Sequence, residues 1–139
     1  MIQLIVGGRG SGKTKQMVDM INESIKTTHG NIVCVEKSMK LTYNLDHKCR
    51  LIDMDQYDIV GYERLYGFVA GILAGNYDIV ELYIDGILKV GSAGSAEKDL
   101  DGLGVLLESF EKLAGDSVKW IITVSAERDD LPESVKKYL

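Results

Sequence analysis

The sequence predicts an α/β domain of three layers, in which helices cover both sides of a central, mainly parallel sheet of about five strands. Three observations support this prediction. Short runs of branched apolar residues alternate with longer segments whose apolar residues recur at helical spacing. The 139 residues suit one domain, and a hydrophobic content of 45% is enough for its core. We therefore expect residues 1–139 to fold as a single domain.

Five short segments are predicted to form the strands. Four are apolar runs of the kind found in strands that are buried on both faces: residues 2–6, 31–35, 78–84 and 118–124. The fifth, residues 50–53, is predicted as a short edge strand.

Helical spacing of apolar side chains predicts three long helices, at residues 13–28, 62–75 and 99–114. Gly30 is expected to cap the first helix in a left-handed conformation, and Gly115 to end the third. A short final helix is expected to begin with Asp130 as its cap and Pro132 in its first turn. Residues 91–96 are small and predict a loop, either a flap over a ligand or a flexible link.

Charge and cysteine content exclude several classes of function. Sixteen basic and 21 acidic residues give a net charge of −5, which disfavours a nucleic-acid coat, so no nucleic-acid partner is indicated. The locally basic residues 37–50 are interpreted as a solvated loop, with contact to a partner or a nucleotide base as the alternative.

Several features also favour a cytoplasmic protein. The sequence has no signal peptide and no apolar run of about 18 residues, the minimum for a membrane span. Cys34 and Cys49 are too few for a disulfide framework, and with the two histidines they lack zinc-site spacing. We therefore expect reduced thiols and no membrane partner.

The strongest functional signal follows the first predicted strand. There the chain matches the pattern G-x-x-x-x-G-K-[ST] in full, with Gly7, Gly8, Arg9, Gly10, Ser11, Gly12, Lys13 and Thr14. Glycines allow the backbone N–H groups to turn inward, and the helix that follows adds the positive end of its dipole. All eight residues are therefore candidates for phosphate binding, although Arg9 more often faces solvent at such a position. Lys13 is expected to act on the β- and γ-phosphates, and Thr14 to offer its hydroxyl to Mg²⁺.

On these residues the chain resembles the P-loop NTPase superfamily, and it looks like small, poorly characterised bacterial ATP-binding proteins of that class. The resemblance implies ATP or ADP as ligand and Mg²⁺ as cofactor, and it favours a RecA-like strand order. It also implies an aspartate at the end of a later apolar strand as a metal partner, a description that Asp85 fits. No Asn-Lys-x-Asp segment is present, which favours ATP over GTP.

The group that would activate water is less clear from the sequence. Many members of the superfamily place a glutamate directly after this aspartate, whereas this chain has Gly86. Carboxyl ends of parallel strands surround the ligand crevice, so Glu36 and Ser125 are candidate catalytic residues, and Thr123 is a candidate contact to the γ-phosphate. The alternative for Glu36 is a solvated strand-end charge. Arg128 is a weaker candidate for an arginine finger, because a loop arginine is more often a surface charge.

Three functions stay open on the sequence alone. The first is a weak or partner-activated ATPase, in which Lys13 is catalytic. The second, favoured by Gly86, is a nucleotide-sensing module without significant turnover. The third is a small-molecule kinase resembling the thymidine-kinase core, although the zinc module, the lasso and an arginine-bearing lid of such kinases are not visible.

The predicted helix 62–75 also carries a stripe of small residues opposite its apolar face: Gly67, Ala70, Gly71, Ala74 and Gly75. Glycine inside a helix costs about 1 kcal/mol relative to alanine, so three glycines call for a reason. One interpretation is a self-association or partner surface, and the other is a helix that merely tolerates small residues.

Overall fold

A five-stranded parallel sheet forms the centre of the structure, a computed structural model that describes residues 1–37, 44–92 and 98–139. The strands are β1 (Ile2–Gly7), β2 (Asn31–Glu36), β3 (Cys49–Asp53), β4 (Ile79–Asp85) and β5 (Lys119–Ser125). Their order in the sheet is β1-β5-β4-β2-β3, and each neighbouring pair is parallel. The predicted fold class is confirmed, and the segment predicted as an edge strand forms β3 at one edge of the sheet.

The register of the sheet aligns the ends of its strands. Gly7 of β1 pairs with Ser125 of β5, and Glu36 of β2 pairs with Asp85 of β4. Since all five strands are parallel, these four residues lie together at the end of the sheet that is formed by the carboxyl ends of the strands. The chain segments that follow β1, β2, β4 and β5 therefore start side by side.

The helices form the outer two layers. On one face of the sheet, α1 buries Met17, Val18 and Ile21 in one apolar cluster. The other helices bury their apolar side chains in a second cluster on the opposite face, where Phe110 stacks on Trp120 with ring centroids 4.6 Å apart. Within the described parts of the chain, none of the helices has the length and apolar character needed to cross a membrane. The helices are α1 (Lys13–Ile25), α2 (Tyr62–Gly75), α3 (Ile87–Gly91), α4 (Leu100–Ala114) and α5 (Glu133–Lys136), with single 3₁₀ turns at Met54–Tyr57 and Arg128–Asp130.

The predicted helix ends are partly wrong. Helix α1 ends at Ile25, and Gly30 has no left-handed φ. Gly30 instead allows close packing, because a Cβ there would lie 2.4 Å from Cγ1 of Val80. Asp130 does not cap the last helix, since it belongs to a separate 3₁₀ turn and Pro132 occupies the N-cap position. Gly115 does end α4, with φ of 57°.

Helix α3 was not predicted. It is only five residues long and begins directly after Gly86, so it is too short to show helical periodicity. Its residues Ile87, Leu88 and Val90 are buried, which is why the segment reads as a plain apolar run. Gly91 closes this helix rather than opening a loop. The rest of the predicted small-residue loop falls mainly on residues 93–97, and much of the basic stretch falls on 38–43, which lie outside the described residues.

The glycines on the open side of α2 predict an increase in stability on substitution. A Cβ on Gly71 would meet no atom within 4 Å. We expect Gly71→Ala to raise the free energy of unfolding by about 0.5–1 kcal/mol, because alanine loses less backbone entropy in a helix. Urea unfolding measures this change. A decrease instead would mean that something covers the stripe in solution.

Gly91→Ala is the matched comparison. A Cβ there would lie 1.9 Å from the Tyr62 ring, whose hydroxyl donates to the Asp99 carbonyl at 2.6 Å. We expect this variant to lose about 1–3 kcal/mol of stability, as overpacked sites do.

Candidate functional site

The glycine-rich loop between β1 and α1 has the backbone that its sequence predicts. Gly10 and Gly12 have φ of 79° and 86°, in the left-handed region where side chains with a Cβ are strained. The Ser11 N–H donates to the Gly8 carbonyl at 3.2 Å and closes a tight turn. These glycines therefore let the chain curl at the end of β1 and enter α1 directly.

The N-terminus of α1 is open to an anion. Its N-cap residue is Gly12, no side chain caps it, and its first turn contains no acidic residue. The first N–H groups of a helix have no partner within the helix, and the helix dipole makes this end positive. Lys13 is the first residue of α1, and its Nζ donates to the Gly8 carbonyl at 2.9 Å. The ammonium group thus lies over the loop and adds its charge to the same place.

Two hydroxyl groups hold the Asp85 carboxylate. Thr14 Oγ1 lies 3.2 Å from Oδ1 and 3.3 Å from Oδ2 of Asp85. Thr123 Oγ1 donates to Asp85 Oδ1 at 2.6 Å and accepts from the Gly86 N–H at 2.7 Å. Residues that are 71 positions apart in the sequence, Thr14 and Asp85, are therefore in contact.

The chemistry of this group suits Mg²⁺. A hydroxyl and a carboxylate are hard oxygen ligands, and Mg²⁺ is usually held by one or two carboxylates together with substrate phosphates. Among the described residues there is no cluster of three or more His, Cys, Asp or Glu side chains that could hold a metal by themselves. Thr14 and Asp85 therefore fit a metal that arrives with a nucleotide better than one bound by protein alone.

A cavity of about 330 Å³ opens at this end of the sheet. Among the described residues, its lining carries four cationic side chains and one carboxylate, that of Asp85, so its charge favours an anion. Arg9 lines this cavity and is exposed, so it contacts solvent as predicted and is also within reach of a ligand in the cavity. The lining residues are Arg9, Gly10, Lys13, Thr14, Asp85, Gly86, Lys89, Lys98, Thr123 and Ser125.

A second cavity of about 340 Å³ lies between the C-terminal ends of α2 and α4, near Tyr77. No described residue in its lining carries a charge, and most of the lining is apolar. Its described lining therefore lacks the positive charge that would attract a phosphate, and the cavity beside Lys13 is the better candidate for the functional site.

Lys89 and Lys98 were not predicted from the sequence. Lys89 lies on α3, the helix that the sequence analysis missed, and its side chain passes over Gly86. Lys98 Nζ donates to the Ser125 carbonyl. Neither belongs to a recognised motif, and the only available signal was that each follows a strand end predicted to border the site.

Glu36 is buried, with 3% of its surface exposed. Its interpretation as a solvated strand-end charge is therefore wrong. Its backbone pairs with that of Asp85 across β2 and β4, although Glu36 is not among the described residues that line the cavity. Glutamate side chains are rarely buried in proteins, so the burial of Glu36 beside the site distinguishes it from an ordinary surface charge.

The carboxyl end of β5 and the segment that follows it differ in what they contribute to the cavity. Ser125 and Thr123 line the cavity, whereas Arg128 is exposed and does not appear in the described lining. Glu127 lies close to the glycine-rich loop, since a Cβ on Gly8 would lie 2.8 Å from Glu127 Oε1. Sequence reasoning missed this acidic neighbour of the loop, because no motif includes it.

The two cysteines are free and buried. Burial raises the pKa of the Cys49 thiol to about 12 and raises that of Cys34 well above its usual value. Both therefore stay protonated near neutral pH and are poor nucleophiles.

Solved structures share this architecture. A KaiC-like protein from the archaeon Pyrococcus horikoshii OT3 is similar over 99% of this chain and 68% of its own, with a TM-score of 0.69 and 16% identity. The flagellar accessory protein FlaH from Methanocaldococcus jannaschii is similar over 98% of this chain and 65% of its own, with a TM-score of 0.65 and 17% identity. This chain therefore spans about two thirds of either protein. No known protein-family profile and no curated protein sequence matches it.

At such identities the likeness concerns the fold. The chain has a RecA-like fold, as its strand order also indicates. The predicted RecA-like order is thus confirmed.

Proposed function

We propose that the chain binds ATP with Mg²⁺ and hydrolyses it slowly, as a weak or partner-activated ATPase. The observation that supports this most is the convergence of Lys13, Thr14 and Asp85 on one positively charged cavity. A glycine-rich loop and a free helix N-terminus at the same place are the features that bind phosphates in proteins. ADP is the product expected to occupy the same site.

Each of these groups has a role in the proposal. The loop N–H groups and Lys13 bind the β- and γ-phosphates, where Lys13 also stabilises charge that develops during transfer. Thr14 and Asp85 hold the metal. Mg²⁺, when bound, would neutralise phosphate charge and orient the terminal phosphate. The hydrogen bond from Thr123 keeps the Asp85 carboxylate oriented toward Thr14.

Glu36 is the residue we propose to position the attacking water. It lies at the end of the strand next to β4, and its burial favours a specific role over a solvated one. Ser125 is the second candidate, since it lines the cavity at the end of β5. Gly86 stands where many members of the superfamily have a glutamate, so in this proposal the water-positioning group comes from another strand.

The second candidate function is a nucleotide sensor without significant turnover. It requires the same Lys13, Thr14 and Asp85, and it is favoured by the absence of a glutamate after Asp85. A small-molecule kinase is a third reading, and it predicts that a suitable acceptor increases ADP formation. No increase over a panel of nucleosides and small alcohols would remove it.

One experiment separates the first two functions. Single-turnover phosphate release from ATP with Mg²⁺ is measured beside a binding titration on the same sample. Binding with release supports the ATPase, provided that release is lost in Lys13→Ala. Binding without release supports the sensor, and no binding at all contradicts both.

Asp85→Asn tests the metal site. The amide keeps the shape of the side chain but loses its charge, so we expect Mg²⁺ to raise ATP affinity about tenfold less than in the parent chain. Titrations of ATP with Mg²⁺ and with EDTA measure this difference. If Mg²⁺ strengthens binding equally in both proteins, Asp85 is not the metal partner.

We also propose that the small-residue stripe on α2 is a surface for self-association or for a protein partner. Its glycines Gly67, Gly71 and Gly75 have open space beside them, so another backbone has room to approach. Light scattering with and without ATP tests this, and a monomer in both conditions would count against it. A cytoplasmic location is likewise part of the proposal.

A further inference from the structure

The positive charge of the cavity exceeds what the glycine-rich loop motif explains. That motif accounts for Lys13, whereas Lys89 and Lys98 come from the segments that follow β4. A loop with one lysine is enough to bind the phosphates of a diphosphate. The extra ammonium groups therefore suggest a further phosphate contact beyond those of the loop.

Lys98 is the better placed of the two. Its Nζ donates to the carbonyl of Ser125, and Ser125 pairs in the sheet with Gly7, where the glycine-rich loop begins. Lys89 has only its side-chain carbons against Gly86, and its ammonium group has no hydrogen bond with a described residue. Since an ammonium group has three N–H donors, Lys98 can keep the Ser125 carbonyl and still bind a phosphate oxygen.

The position of Thr14 and Asp85, the two residues proposed to hold the metal, indicates which phosphate Lys98 would contact. Thr14 and Asp85 would hold a metal that binds with ATP and that would neutralise charge on its terminal phosphates, so we place the terminal phosphate on their side of the loop. Thr14 and Asp85 mark that side, and Thr123, two residues before Ser125, is hydrogen-bonded to Asp85. Its hydrogen bond to Ser125 thus places the Lys98 ammonium at the carboxyl end of β5, the same strand end that borders Thr14 and Asp85.

We propose that Lys98 binds the terminal phosphate and makes the site discriminate a nucleoside triphosphate from a diphosphate. This inference rests on the proposed function. Lys98 belongs to the same chain as the rest of the site, so the discrimination does not require a cation from a partner subunit. Lys13, in contrast, is proposed to contact the β-phosphate, which both nucleotides carry, as well as the γ-phosphate.

The test compares Lys98→Ala with the parent chain in titrations of ADP and of a non-hydrolysable ATP analogue, both with Mg²⁺. Loss of a charge-assisted hydrogen bond lowers affinity about tenfold or more, and we expect this loss for the ATP analogue only. Lys98→Arg should retain most of the preference. Lys112→Ala is the control, since Lys112 is a surface lysine of α4 that lies 3.7 Å from Glu108.

The outcomes separate the two proposals. If the parent chain binds neither nucleotide, the proposed function and this inference both fail. If the parent binds both, and Lys98→Ala weakens both equally or neither, only the inference fails, because a structural role for Lys98 would not distinguish the nucleotides. A thermal melt without nucleotide checks that the variant is folded.

Discussion

Lys13→Ala should reduce ATP and ADP affinity by about a hundredfold or more, because one ammonium group makes several charge-assisted hydrogen bonds to phosphate oxygens. The Lys13 side chain also folds over the loop to the Gly8 carbonyl, so its removal leaves the loop without its central cation. Equilibrium titration with each nucleotide measures the loss. We expect the variant to remain folded, since Lys13 is only partly buried.

Lys15→Ala is the matched control for this variant. Lys15 lies on the same helix and its side chain is 81% exposed, where it pairs with Asp19 at 2.8 Å. The two variants change the net charge equally, and an exposed pair of this kind contributes little to stability. Equal affinities in Lys13→Ala and the parent chain would remove the site assignment altogether.

Glu36→Gln should stop phosphate release while leaving nucleotide binding nearly unchanged. The amide keeps the volume of the side chain but cannot accept a proton, and a positioned base typically contributes a factor of about 100 or more to the rate. Single-turnover phosphate release measures the rate, and the titration on the same sample shows whether ATP affinity stays within about threefold.

The control for Glu36→Gln is another buried glutamate. Glu81 on β4 is 7% exposed and accepts hydrogen bonds from the hydroxyls of Thr28 and Tyr83, at 3.0 Å and 2.6 Å. Glu81→Gln therefore reports the general effect of neutralising a buried carboxylate in this sheet. If both variants lose release equally, or if Glu36→Gln loses none, Glu36 does not position the water and Ser125 becomes the residue to substitute.

Much of this fold could be predicted because its elements are long or chemically distinctive. The glycine-rich loop has left-handed backbone at Gly10 and Gly12, and the motif pattern requires glycine at the second of these positions. Helix α2 was predicted with the same bounds as observed, since its apolar face repeats over four turns. The apolar run before Asp85 predicted a strand that ends there, as observed, whereas its role as a metal partner came from the resemblance and stays a prediction.

The misses have physical reasons as well. Helix α3 is shorter than two turns, so its residues show no period. The close packing of Gly30 against Val80 and the burial of Glu36 depend on neighbours far away in sequence. Lys98 reaches the site only through the carbonyl of Ser125, a contact that no local pattern encodes. Tertiary contacts of this kind decide the chemistry of the cavity, whereas local patterns decide its location.

The strand order has a consequence for how the chain folds. Among the described strands, β1 pairs only with β5, which follows it by more than a hundred residues, and the Trp120 N–H donates to the carbonyl of Met1. β1 therefore lacks this partner strand until β5 has left the ribosome, and closing so long a loop is slow. The glycine-rich loop is thus synthesised well before the strand that holds β1 in the sheet. A nascent chain that stops before Lys119 would carry the whole glycine-rich motif without the strand that supports it.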